Sequence, residues 1–311
     1  MIKSHNNIFY LMSYLCELEF AINTAQKAGA FLMQNFGNEN KPIWTAETKE
    51  TNFKIQMDKE SDKILRKEIM NNFPEDDIYS EEAEDIDRGR KRKWVFDPID
   101  GTIPYTMHQN NNWSVAIGLV EDRTPVLGVV YMPERDELYH AFIDGGAFCN
   151  GFLVKVSQQK ELSKAFMGFD GGKVIPGWWN RGSFAELRSK LESDGGGVAM
   201  LYGTGCASVP LCQVASGTPD FRLPGVGRID GYLGGALEPY DMVAQVPIIR
   251  EAGGIVTHLN GNEWKFSKLY RGDPTILAAN PDLHRTLSSY LGPEINSYYK
   301  ANPKFLNLEN K

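Results

Sequence analysis

The densest concentration of reactive side chains in this sequence is the hexapeptide Asp97-Pro98-Ile99-Asp100-Gly101-Thr102. Pro98 fixes its own backbone angle, and the two aspartates stand three residues apart, so a turn can aim both carboxylates at one point. Carboxylates aimed together repel unless a proton or a cation sits between them. Gly101 permits close backbone approach, and Thr102 is a natural N-cap whose following free N–H groups can hold an anion such as phosphate. Cation and anion requirements therefore meet within six residues. A solvated β-turn uses the same residue types, so the hexapeptide alone leaves both readings open.

Further acids shift that balance. Glu81 and Glu82 follow Ile78-Tyr79-Ser80, Asp58 opens a predicted helix, and Asp241 follows Pro239-Tyr240 at the start of another. Taken singly, Asp58 and Asp241 read as helix caps and Glu81 as a charged loop residue. Taken together, they form the oxygen-rich set that hard divalent cations require.

The elements that must position these acids follow from periodicity. Leu18, Ala21, Ala25, Ala28 and Leu32 mark one helix face, with Gly37 as its stop. A polar segment over 38–56 reads as a loop. A second helix runs from Asp58 through Leu65, Ile69 and Phe73 to Pro74. Trp94-Val95-Phe96 is a short buried strand leading into the hexapeptide. Three strands over 115–120, 126–131 and 138–143 form an antiparallel meander. Beyond residue 160, strands over 165–169 and 198–202 alternate with helices over 207–216 and 241–252. The expected fold class is a layered α+β and α/β sandwich. It divides into an N-terminal α+β domain over 1–160, with most of the acids, and a C-terminal α/β domain over 161–311 that supplies Asp241.

Composition narrows the function classes. The 311 residues carry 33 Lys and Arg against 40 Asp and Glu, a net charge of −7, which argues against a general nucleic-acid or anionic-membrane binder. The basic run Arg88 to Lys93 reads as a solvated loop balanced by acidic neighbours. Cys16, Cys149, Cys206 and Cys212 are scattered, which points to free, mostly buried thiols in a reducing compartment. No apolar run approaches the ~20 residues of a membrane helix, and Ile8 to Leu15 makes a poor secretion signal. A cytoplasmic enzyme is expected. The five histidines form no ligand pattern, although His108 lies close to the active loop.

In order along the chain, Asp58, Glu81-Glu82, Asp97 to Thr102, Tyr240-Asp241 and Glu251-Ala252-Gly253-Gly254 resemble the inositol monophosphatase family of Mg²⁺-dependent, lithium-sensitive phosphatases. The likeness spans roughly residues 18 to 285 and implies an αβαβα sandwich of the inositol-monophosphatase and fructose-bisphosphatase type. It implies two or three Mg²⁺ ions per site. Glu81, Asp97 and the Ile99 carbonyl would hold the first, while Asp97, Asp100 and Asp241 would hold the second. A weaker third would sit at Glu81. By the same resemblance, Asp58 and Thr102 would relay a proton from the attacking water, and the Gly101 and Thr102 amides would receive the phosphate. The physics is consistent, since two ions ~3.5–4 Å apart can clamp a phosphoryl group and acidify a water.

Departures from the family pattern bear on substrate. Tyr240 replaces the usual Trp, and Pro239 with Pro247-Ile248-Ile249 resembles the histidinol-phosphate phosphatase branch. Gly234 stands where inositol phosphatases carry a sugar-contacting Glu. Pro125 to Tyr131 resembles the 3′(2′),5′-bisphosphate nucleotidase branch equally well. Ser80 replaces a usual Gly, Lys54 a frequent Asp, and Tyr105 a common Phe. Pro247 is expected inside a helix, at a cost of about 3 kcal/mol. The expected function is phosphomonoester hydrolysis of a small metabolite, by a homodimer on family precedent, with no nucleic-acid or membrane partner. Inositol monophosphate and histidinol phosphate stand as equal first substrates. A non-catalytic member that binds a phosphorylated ligand is the rival from another class.

Overall fold

The computed structural model describes residues 14–37, 56–108, 111–171, 181–193, 196–268 and 273–305, with the side chains of 181–183 excepted. Most of the Ile8–Leu15 stretch, the polar segment 38–55 with Lys54, and Trp178-Trp179 lie outside the described residues.

Apolar spacing builds the first layer. Helix α1 (Leu15–Asn35) buries Leu18, Ala21, Ala25, Ala28 and Leu32, and α2 (Gln56–Asn72) buries Leu65 and Ile69. Both lie on a seven-stranded sheet ordered sequentially from β1 to β7. Its strands are β1 (Asp77–Ser80), β2 (Arg92–Asp100), β3 (Ser114–Glu121), β4 (Thr124–Met132), β5 (Glu137–Phe142), β6 (Gly146–Cys149) and β7 (Phe152–Leu153). Only the β1–β2 pair is parallel.

Alternation along β3 shows how one strand serves two cores. Val115, Ile117 and Leu119 face α1 and α2, whereas Ala116 and Val120 face the opposite side. That second face is covered by α5 (Ser208–Ala215) and α6 (Gln245–Glu251). Across these helices lies a five-stranded sheet of order β11-β12-β10-β8-β9. Its strands are β8 (Phe166–Asp170), β9 (Met200–Tyr202), β10 (Gly231–Gly234), β11 (Ile255–Thr257) and β12 (Ile276–Ala279). The last layer is α4 (Arg181–Leu191), α7 (Pro281–Tyr290) and α8 (Gly292–Ala301), which close a third apolar cluster on that sheet. The result is the αβαβα sandwich. Six-residue α3 (Thr102–Met107) joins β2 to the loop before β3.

Two expectations need correction. The helix expected over 241–252 is a 3₁₀ turn, Pro239–Asp241, followed by α6 beginning at Gln245. Pro247 thus falls in the first turn of α6, where the missing N–H has no intrahelical partner to lose. Asp58, expected as an N-cap, lies inside the first turn of α2 and is 1% exposed. Burial requires a partner more specific than solvent, and Thr102 provides it.

A pair of glycines sets the contact between α6 and the first sheet. Gly118 of β3 faces Gly128 of β4 in register. A Cβ on Gly128 would lie 1.8 Å from the Ala244 carbonyl oxygen, and one on Gly118 would lie 2.4 Å from Val243. The chain just after Asp241 therefore rests directly on bare backbone.

Candidate active site

The acids come from four separate elements. β2 ends in Asp97 and Asp100, with the pairing to β3 shifted between them around Pro98. Ser61 of α2 donates to the Pro98 carbonyl at 3.2 Å, and the Ile99 amide donates to Asp97 Oδ1 at 2.9 Å. Gly101 adopts φ +89°, and a Cβ there would lie 2.5 Å from the Asn112 carbonyl oxygen. Only glycine makes this turn at that spacing. Thr102 Oγ1 lies 3.4 Å from Asp58 Oδ1 and donates to the Ile99 carbonyl at 3.2 Å.

Asp241 arrives from the other half of the chain. Its Oδ2 accepts the Glu238 amide at 2.8 Å, while the Glu238 side chain caps the Asp241 backbone. Tyr240, 6% exposed, stacks on Tyr79 of β1 at 6.1 Å, so the replacement of Trp keeps an aromatic in the core. Glu81 follows β1 directly. Ser80 anchors that corner by accepting from the Arg66 guanidinium at 2.8 Å.

These pieces converge. One carboxylate oxygen from each of Asp97, Asp100 and Asp241 lies within 4.8 Å of the others. A cavity of about 640 Å³ is lined by this trio together with Glu81, Ile99, Gly101 and Thr102. Asp58 sits behind Thr102. Burial raises the Asp97 carboxyl well above its usual range, and the charges of Glu81, Asp100, Asp241 and Asp58 push it further. Burial also raises Asp100, against donors that favour its ionised form. A cluster so unfavourable to its own charge, built from oxygen donors alone, fits hard divalent cations.

The profile of the inositol monophosphatase family matches residues 15–296. The chain belongs to that family. It is therefore a phosphatase, a phosphoric monoester hydrolase of the inositol monophosphatase and fructose bisphosphatase type. Among relatives, a fructose-1,6-bisphosphatase/inositol-1-monophosphatase of Thermotoga maritima is 31% identical over 79% of this chain and 86% of its own length. An inositol-1-monophosphatase of Bacillus subtilis is 29% identical over 86% of this chain and 94% of its own. The extragenic suppressor protein suhB of Bartonella henselae superposes with a TM-score of 0.75 at 26% identity, covering 89% of this chain and 98% of that one.

Several features of this phosphatase carry no motif. Asp100 is gripped from the second half of the chain by the Ser208 amide at 2.6 Å, the Ala207 amide at 3.3 Å and the Cys206 thiol at 3.2 Å. Asp170, at the end of β8, lines the cavity, and burial pushes its carboxyl up to about 7. A lone Asp at a strand end gives no signal in a single sequence. Gly234 faces Asp170 in register, and a Cβ on it would lie 2.6 Å from Leu237. A glutamate there would require Leu237 to move.

Other expectations sort out plainly. His108 packs on the Phe36 ring at 4.5 Å and is not among the residues lining the cavity. Tyr105 donates its hydroxyl to the Leu32 carbonyl at 3.0 Å, the physical reason a Tyr serves where Phe is common. The basic run is balanced by Asp87 of the preceding acidic stretch, which accepts the Gly89 amide and feels the Lys93 charge, and by acids farther away. Arg92 pairs with Asp76 and Glu17, each at 2.9 Å, while the Arg88 and Arg90 amides cap Asp77. Cys149, Cys206 and Cys212 are buried free thiols, and Cys16 is exposed. No helix among the described residues is long and apolar enough to cross a membrane.

Proposed function

We propose that this phosphatase hydrolyses a small phosphomonoester by direct attack of water, with Mg²⁺ held by Glu81, Asp97, the Ile99 carbonyl, Asp100 and Asp241. The convergence of carboxylates from both halves of the chain on one buried cavity carries the reading. Mg²⁺ bound there would neutralise the phosphate dianion and lower the pKa of a coordinated water. Asp58 and Thr102 would accept and pass on the proton of the attacking water, since their oxygens already lie within 3.4 Å. The Gly101 and Thr102 backbone would receive the phosphate. Asp100 would be kept in place by its three donors from residues 206–208.

The names of the relatives support inositol monophosphate and fructose 1,6-bisphosphate as substrates, and the bare Gly234 supports histidinol phosphate. We read residues 1–160 and 161–311 as the two domains, in a cytoplasmic homodimer. Phosphate release from these esters and adenosine 3′,5′-bisphosphate, with and without Mg²⁺, tests the assignment. Asp100→Asn should lower turnover by several orders of magnitude with an unchanged circular dichroism spectrum. Near-normal turnover in that variant would overturn the metal assignment, and silence toward every ester would favour a non-catalytic phospholigand-binding role.

A further inference from the structure

Asp100 and Asp241 reach the cavity on separate elements, and a buried polar link joins their surroundings behind them. Ser208 opens α5 and Gln245 opens α6, and both residues are fully buried. Gln245 lies four residues after Asp241 and directly after Ala244, whose backbone rests on Gly128. Its side-chain amide donates from Nε2 to the Ser208 hydroxyl. That hydroxyl in turn donates to the Asp100 carboxylate, beside the Ser208 amide at 2.6 Å. A hydroxyl has one proton, so an N–H given to its oxygen leaves that proton free to point at the carboxylate. The donors thus run one way, from α6 through α5 to Asp100, and bonds aligned in this manner strengthen one another. Elsewhere α5 and α6 contribute Val209, Leu211, Val246 and Ile248 to one apolar cluster. A primary amide buried among them is dehydrated, a cost that a hydrocarbon side chain of similar size does not carry. Gln245 Oε1 adds to that cost, because it is buried and meets no donor among the described residues.

Packing alone would choose leucine at position 245, and what the amide gains instead is a grip on the hydroxyl that holds Asp100. We infer that Gln245 is a positioning residue for cation binding: by keeping the Ser208 hydroxyl proton on Asp100, it sets that carboxylate in place opposite Asp241. This rests on the metal reading above and deepens it. Donors around a ligating carboxylate fix its orientation, and losing one typically costs about 10- to 100-fold in metal affinity. Gln245 and Asp241 share one segment of chain. The entry to α6 therefore brings one proposed cation ligand and the brace of another.

Gln245→Leu removes the donor and keeps a side chain of similar size; Gln245→Met does the same if the branched side chain does not pack. The measurement is the rise in Tm of the whole chain with Mg²⁺ concentration, without substrate, which yields an apparent Mg²⁺ dissociation constant. In Gln245→Leu that constant should increase by about 10-fold, the lower end of the range because the amide acts through a second group. Ser208→Ala should raise it at least as much. The double variant should match Ser208→Ala alone, since the amide works only through the hydroxyl. Without Mg²⁺, the Tm of Gln245→Leu should equal or exceed that of the wild type, because no buried amide is left to dehydrate. A purely structural Gln245 gives the reverse: a lower Tm without Mg²⁺ and an unchanged Mg²⁺ constant. That result overturns the inference, and so does additivity in the double variant. Asp100→Asn separates the two readings. If it responds to Mg²⁺ as the wild type does, the metal assignment has failed; if it loses the response while Gln245→Leu keeps it in full, only the role of Gln245 has failed.

Discussion

Gly128→Ala adds one methyl group at a residue that does not line the cavity, yet it should damage both stability and catalysis. The added Cβ meets the Ala244 carbonyl oxygen at 1.8 Å and the Ala244 Cα at 3.0 Å. Reaching an ordinary contact of 3.4 Å needs roughly 1.6 Å of separation, and both partners are backbone, so no side-chain rotation can provide it. Overpacking of this kind costs about 3 kcal/mol, which lowers Tm by roughly 6–12 °C in a chain of this size. The displaced segment begins three residues after Asp241, and a shift of about 1 Å in a catalytic group can cost ~100-fold in rate. Thermal unfolding and phosphate release on the same preparation measure both effects. Gly292→Ala is the control, because a Cβ there meets nothing within 4 Å; its Tm should be unchanged or slightly higher. A Gly128→Ala protein with wild-type Tm and turnover would refute the claim that bare backbone on β3 and β4 seats the Asp241 segment.

Two further outcomes follow from the buried charges. Because the Asp97 carboxyl is raised in the folded state by burial and neighbouring acids, its contribution is favourable at low pH and lost as pH rises. In EDTA, Tm should be higher at pH 5 than at pH 8, and Mg²⁺ should close most of that gap; an equal Mg²⁺ effect at both pH values would contradict this. Burial lowers the His284 imidazole to about 4, so its neutral form supports the fold above the unfolded value near 6.5 and that support is lost as pH falls toward 4. His284→Gln should flatten the acid limb of the stability curve by about 2–3 kcal/mol, measured by urea unfolding between pH 7 and pH 4.

The sequence exposes the elements whose pattern repeats along the chain. The three-and-four spacing of Leu18 to Leu32 became α1, and the meander of β3, β4 and β5 lies within a residue or two of its expected bounds. The hexapeptide at Asp97 was legible because proline and glycine constrain backbone as strongly as the acids constrain charge. What stayed hidden was tertiary. Asp58 looks like a cap until Thr102 is folded against it, and Pro247 looks misplaced until the helix is seen to start at Gln245. The amides of Ala207 and Ser208 grip Asp100 through backbone, which no side-chain pattern reports. Asp170 is a single residue whose significance arises from the walls around it.

The Asp100 carboxylate is held by amides more than a hundred positions downstream, and Asp241 reaches the same spot by resting on strands laid down much earlier. A fragment or nascent chain that stops before residues 206–208 and Asp241 does not contain the assembled centre. Turnover thus reports joining: a chain that ends before Asp241 is silent, and recovered activity in a refolding trace times the docking of the later segment onto the earlier one.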